Sequence, residues 1–249
     1  MQDCKHKYTP CDISLNKFCD EPAEPADNRL YREIVGSLIY IMTATRPDLC
    51  YIVTKLSQYM SQPSKNHMIA AKHVLRYLKA TMFQKLVYTK SDEPFTLTGF
   101  CDADWGSSDD RKSTTGYGFM LSNKSLISWK SRKQPTIALS TCEAEYMAMG
   151  AATQGGLFLK ALIKDMMGFE FDTFTLKCDN QGAIALGKNP VQHQRSKHID
   201  IKYHFIRNEI QNGTVDIQYV PTDQNWADIF TKPVGKPKLQ MFKPTIMGE

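Results

Sequence analysis

Apolar residues first recur with a helical period at Val35, Leu38, Ile39 and Met42, the i, i+3, i+4, i+7 stripe of an amphipathic helix. Leu49, Ile52, Val53 and Leu56 repeat the stripe after Pro47, which suits a first helical turn, and Asp48, which suits the positive end of a helix dipole. A third helix is expected over about 64–79, with Met68, Ala71, Leu75 and Leu78 inward and His67, Lys72, Arg76 and Lys79 elsewhere. Residues 30–80 thus read as a small helical unit. The stretch before it, with Pro10, Pro22 and Pro25, reads as an extended, poorly packed lead-in. After Pro94 the period changes to that of strands: Phe95 to Asp104, Thr114 to Leu121 and Ser125 to Ser131, with Ser122-Asn123-Lys124 as the turn of the last hairpin. A long helix over 141–167 follows, with a break expected at Gly155-Gly156. Next come a strand over 174–178, a short helix from Gln181, a helix over 197–211, a strand over 215–220 and a closing helix near 225–231. The order βββαβααβα predicts an α/β fold, a mixed sheet flanked by helices.

With 42% hydrophobic and 23% charged residues over 249 positions, the chain can build a packed core in one or two domains, which excludes a disordered, collagenous or rod-like protein. The most apolar stretch, Ile34 to Met42, is far shorter than the roughly 20 residues of a bilayer span, so no membrane partner is expected. Met1 to Pro10 contains no apolar run, so secretion is not expected, and a reducing compartment follows as the default. Seven cysteines without a CxxC pair argue against a disulfide framework or a structural zinc site. The net charge of +5 lies in residues 1–90, where 13 Lys and Arg face 8 Asp and Glu, making that part the better phosphate-facing surface.

Several acids sit at ends of expected elements. Asp102 lies in the otherwise apolar Gly99-Phe100-Cys101-Asp102-Ala103, where a carboxylate must be paired or bound to a cation. Asp104, two residues on, shares its strand face and stays a rival. Asp179 ends a strand just before a helix and could equally be its N-cap. Asp228 could be a first-turn acid complementing a helix dipole. Ser140 and Glu143 have the spacing of a capping box, which gives Glu143 a structural task. Glu145, roughly 200° further round the helix, is left over for chemistry.

The segments Tyr31-Arg32-Glu33-Ile34-Val35-Gly36-Ser37-Leu38, Thr43-Ala44-Thr45-Arg46-Pro47-Asp48, Cys101-Asp102-Ala103-Asp104-Trp105, Ser128-Trp129-Lys130-Ser131-Arg132-Lys133-Gln134, 138–146 (ALSTCEAEY) and 197–207 (KHIDIKYHFIR) together resemble the end of the Pol polyprotein of Ty1/copia-type LTR retrotransposons, in family order over about residues 8–245. The resemblance implies an extended lead-in (1–28), a helical reverse-transcriptase connection region (29–90), a ribonuclease H-like domain with a mixed five-stranded sheet (91–235) and a C-terminal tail (236–249). It implies that Asp102, Glu145, Asp179 and Asp228 are the catalytic acids. Four carboxylates in one cleft require cations, and all-oxygen ligands favour two Mg²⁺ or Mn²⁺ ions. The implied activity is hydrolysis of the RNA strand of RNA–DNA hybrids during reverse transcription. The implied partners are the hybrid and the polymerase portion of the same polyprotein, in a cytoplasmic virus-like particle or the nucleus.

Lys124, Lys130, Arg132 and Lys133 around Trp129 suit a hybrid backbone, although a solvated strand end with Trp129 in the core reads equally well. His193, His198 and His204 resemble a ligand cluster, but ordinary histidines are the better reading. Where many cellular ribonucleases H carry a loop His, Pro221 to Asn225 has none, implying slow turnover. The alternative to an enzyme is a non-enzymatic retroelement remnant or a co-opted module that binds nucleic acid or a partner.

Overall fold

The β-rich half is organised by one hairpin whose turn residues allow it to close. Ser122 and Asn123 adopt φ of +50° and +55°, the left-handed pair that a two-residue hairpin turn demands, and Lys124 N–H donates to the Leu121 carbonyl at 3.1 Å. In chain order, the computed structural model contains α1 (Leu15–Asp20), α2 (Asn28–Ala44), a 3₁₀ turn (Pro47–Leu49), α3 (Cys50–Ser57), α4 (Lys65–Ala80), β1 (Leu97–Asp104), β2 (Thr114–Leu121) and β3 (Ser125–Lys133). There follow α5 (Thr141–Met167), β4 (Phe174–Cys178), α6 (Gln181–Lys188), α7 (Lys197–Gln211), β5 (Val215–Tyr219), a 3₁₀ helix (Trp226–Phe230) and α8 (Lys236–Met247). The structure describes residues 4–90, 92, 94–106, 110–188 and 197–248, with the side chains of 16 and 197–203 excepted. No helix among the described residues is long and apolar enough to cross a membrane.

The chain forms two units, 1–88 with 232–249, and 89–231. In the second, the strands order β3-β2-β1-β4-β5, with β1–β2 and β2–β3 antiparallel and β1–β4 and β4–β5 parallel. This mixed five-stranded sheet flanked by helices is the ribonuclease H-like fold expected from the sequence. The central β1 is buried along most of its length because both of its faces are covered. Tyr146 and Met149 from α5 and Ile206 from α7 pack with Phe119, Phe174, Leu176 and Ile217 of the strands, each such side chain contributing about 1.5–3 kcal/mol on burial. On the other face Phe100 lies 4.5 Å from the Trp226 ring, which in turn meets Phe230.

The break expected at Gly155-Gly156 is absent, and α5 runs without interruption. A Cβ on Gly156 would stand 2.5 Å from the Phe174 ring and one on Gly155 2.9 Å from Tyr117, so these glycines let the helix lie close on the sheet. The closing helix is a five-residue 3₁₀ turn rather than an α-helix.

In the first unit α2 buries Val35 and Leu38 of the expected stripe together with Tyr31, while Ile39 and Met42 are half-buried, and the Tyr31 hydroxyl donates to the Leu56 carbonyl at 2.8 Å. Asp48 stands in the first turn after Arg46, as expected, and has a second task. It is buried, paired with Arg46 at 2.7 Å, and accepts a hydrogen bond from Tyr77 at 2.6 Å. In α4 the buried stripe is Met68, Ala71, Val74 and Tyr77, joined by His67, which was expected outward. The His67 ring closes a capping box with Ser64 and stacks on Tyr59 at 3.7 Å, while Leu75 and Leu78 are half-buried. The lead-in is not loosely packed: α1 buries Leu15 and Cys19, and Ala26 N–H donates to the Pro63 carbonyl. The segment read as a tail carries α8, which buries Leu239, Phe242 and Ile246.

Candidate active site

Asp102 sits near the carboxyl end of β1, opposite Gly116 of β2, and is 2% exposed. A Cβ on Gly116 would press on Phe230 and Thr231 at 2.7 Å, so Asp102 and the residues of the 3₁₀ helix share that side of the sheet. The helix is tied there at both ends. Asn225 donates its amide to the Cys101 carbonyl at 2.9 Å and caps Ala227, while the Thr231 hydroxyl hydrogen-bonds both the Asp102 carboxylate and the Asp228 carbonyl. Asp228, fully buried, is thereby one hydroxyl away from Asp102 through its backbone. Thr231 and Asn225 were not singled out from sequence, and the Asn–Trp–Ala–Asp order alone signals only a helix start.

Glu145 is positioned by the start of α5. Ser140 accepts from Glu143 N–H at 3.2 Å, but Glu143 reaches Leu139 N–H at 2.8 Å rather than Ser140, so the capping box is only half made. Glu145 turns inward and accepts from Ala103 N–H at 3.2 Å, next to Asp102 on β1. Asp179 is not the cap of α6: Asn180 takes that place, accepting from Ala183 N–H at 2.9 Å. Relieved of capping, Asp179 brings a carboxylate oxygen within 4.8 Å of a Glu145 oxygen and of the Cys178 sulfur.

Glu145 carries the electrostatic signature of this gathering. Its carboxyl is pushed up to about 11, first by burial and then by Asp102, Cys178 and Asp179, with the Ala103 N–H opposing. Among the neighbouring charges Asp102 raises it most. The Oε2 atom of Glu145 is buried without a hydrogen-bond partner among the described residues. A buried, uncommitted carboxylate oxygen beside two other acids fits a hard divalent cation, which prefers oxygen ligands.

No family model matches the chain. It is 38% identical over 253 residues to the retrovirus-related Pol polyprotein from transposon TNT 1-94 of Nicotiana tabacum, an alignment covering 99% of this chain and 19% of that protein. It is 41% identical over 248 residues to the Pol polyprotein from transposon RE2 of Arabidopsis thaliana, covering 99% of this chain and 17% of that protein. The chain belongs to the transposon Pol polyproteins. It spans less than a fifth of the length of these relatives. A ribonuclease H1 from the archaeon Halobacterium salinarum superposes with a TM-score of 0.42 at 15% identity, covering 55% of this chain and 94% of that one. The strand order, not this superposition, identifies the fold.

In this Pol segment the cationic residues expected around a substrate are split between locations. Lys124 lies at the β2–β3 turn, at the opposite end of the sheet from Asp102, since Leu97, Leu121 and Ser125 align there while Asp102, Gly116 and Ser131 align near the acids. Trp129 is half-buried and pairs with Gly118 on the face of Trp226. Lys130 and Arg132 are exposed on the alternate face and line a cavity of about 470 Å³ with Tyr117, Gly155 and Phe158. Lys133 pairs with Asp110 at 2.8 Å. His193 and the side chain of His198 lie outside the described residues, and His204 is exposed.

Proposed function

We propose that the second unit is the ribonuclease H of a Ty1/copia-type Pol polyprotein, an endonuclease that hydrolyses the RNA strand of RNA–DNA hybrids during reverse transcription. The observation that carries this reading is the junction at Glu145, whose carboxyl is raised by both Asp102 and Asp179, while Thr231 links Asp102 to the residue bearing the fourth acid.

Asp102, Glu145, Asp179 and Asp228 would hold two hard cations, Mg²⁺ or Mn²⁺. When bound, such ions lower the pKa of a water and stabilise the leaving oxygen of an in-line displacement. The protein's own part is to prepare the site. Thr231 fixes the rotamer of Asp102, Ala103 N–H orients Glu145, and Asn180 caps α6 so that Asp179 stays available. Glu145 keeps a proton while the site lacks cations, which limits repulsion among the acids. Trp129 and Lys133 on the Asp102 face of β3, and Lys130 and Arg132 on its other face, would meet a hybrid backbone only where it passes along that edge strand, and the 2′-hydroxyls would distinguish RNA from DNA. Lys124 lies too far along β3 to join them. For the first unit we infer a reverse-transcriptase connection role beside the polymerase portion of the same polyprotein, within a cytoplasmic virus-like particle or the nucleus.

The test is cleavage of a labelled RNA–DNA hybrid with Mg²⁺ against EDTA. Cleavage is expected only with Mg²⁺, leaving 5′-phosphate and 3′-hydroxyl ends, and Asp102→Asn or Asp179→Asn should abolish it while hybrid binding persists. Undiminished cleavage in those variants would reject the assignment.

A further inference from the structure

Cys178 closes β4 with its thiol wholly buried and directly precedes Asp179. Its sulfur and one carboxylate oxygen each from Glu145 and Asp179 lie within 4.8 Å of one another. Glu145 is only 7% exposed, and its Oε2 is a buried acceptor without a partner among the described residues. Two hard donors and one soft donor therefore converge where the nuclease reading requires hard donors only. Mg²⁺ gains nothing from a sulfur, whereas Zn²⁺ and Cd²⁺ readily combine thiolate with carboxylate. With bonds of about 2.0–2.3 Å, tetrahedral coordination sets ligand atoms roughly 3.3–3.7 Å apart, so the three atoms, within 4.8 Å of one another, would have to approach by about 1 Å on binding. Of the neighbouring thiols, Cys101 lies against Cys178 and also donates to the Lys177 carbonyl at 3.6 Å, and Cys142 packs against Gly182.

We propose that Cys178, Glu145 and Asp179 form a binding site for a single thiophilic divalent cation, of the class of Zn²⁺ or Cd²⁺, which displaces hard ions from the two shared carboxylates. On binding, the Cys178 thiol proton passes to solvent and a sulfur–metal bond forms. Glu145 binds as its carboxylate, and no electrons are transferred. The displacement of hard ions rests on the reading of Glu145 and Asp179 as Mg²⁺ ligands; the binding itself does not.

The test is titration of the full chain, under reducing conditions, with Cd²⁺ alone, followed by the ultraviolet sulfur-to-cadmium charge-transfer band. The wild-type chain should show a first saturating phase of one equivalent that Mg²⁺ competes away. Cys178→Ala should remove that phase, Glu145→Gln should weaken it about ten- to a hundredfold, and Cys142→Ser should leave it intact. Cys178→Ser, nearly isosteric, repeats the test if the alanine variant fails to fold, with circular dichroism as the check. A first phase unchanged by loss of the Cys178 sulfur overturns the proposal, and a phase that needs Cys178 but is indifferent to Mg²⁺ overturns the displacement of hard ions. A chain that binds Cd²⁺ through Cys178 yet cleaves no hybrid refutes the nuclease reading alone. A chain that cleaves hybrid but titrates identically without Cys178 refutes this site alone.

Discussion

Replacing Glu145 by Gln should stabilise the cation-free protein, and by an amount that depends on pH. In the fold the Glu145 carboxyl holds its proton up to about 11, against an ordinary value of 4.5, because burial and the charges of Asp102, Cys178 and Asp179 disfavour its ionised form. Above pH 4.5 the unfolded chain releases this proton and the folded chain does not, so the folded state binds more protons and stability falls as pH rises. The loss is about 1.4 kcal/mol per pH unit. From 4.5 to pH 7 it accumulates to about 3 kcal/mol, a large part of the roughly 5–15 kcal/mol available to a domain. Glutamine is neutral at every pH and retains an oxygen to accept from Ala103 N–H. Thermal melts in EDTA followed by circular dichroism should therefore coincide for the two proteins at pH 4.5. At pH 7 the variant should melt about 10 °C higher, using roughly 2–4 °C per kcal/mol, and the gap should widen at pH 8. Mg²⁺ should raise the melting temperature of the wild-type chain, which gains by ionising Glu145, more than that of the variant. A gap that stays constant between pH 4.5 and 8, or a variant less stable than wild type at pH 7, would refute the placement of Glu145 among the other acids.

Three further changes probe the supports of the site and of the first unit. Thr231→Val removes the hydroxyl that joins Asp102 to the Asp228 carbonyl; urea unfolding should show a loss of about 1–3 kcal/mol, with hybrid cleavage reduced although all four acids remain. Asn180→Ala should cost about 1 kcal/mol through the lost cap of α6, whereas Asp179→Asn should leave unfolding nearly unchanged while cleavage disappears; the reverse pattern would make Asp179 the cap. Asp48→Asn leaves the Arg46 guanidinium buried without its countercharge and should destabilise the first unit by about 3–5 kcal/mol in the same measurement.

The strands and most helices were legible because their signals are local. Thr114–Leu121 and Phe174–Cys178 alternate or run apolar over one strand's length, and the stripe of Val35 and Leu38 needs only neighbours within two turns. Asp102 was legible for a similar reason: a carboxylate in an apolar strand demands a partner wherever the strand packs. Glu145 could be separated from Glu143 by cap spacing alone, although the cap itself closed through Leu139.

What local pattern could not decide was which groups meet across the chain. Gly155-Gly156 read as a break because glycine weakens an isolated helix, yet the helix continues, since only the bare backbone fits against Tyr117 and Phe174 from distant strands. Asp179 was open between cap and chemistry until Asn180 occupied the cap, and Lys124 and Arg132, close in sequence, lie toward opposite ends of one strand. The role of Thr231 depends on a hydrogen bond across 129 residues, and the nearness of Cys178 to the acids on the docking of α5 against β4. Periodicity reports which face of an element is apolar; only the closed sheet determines which polar atoms are left facing one another inside it.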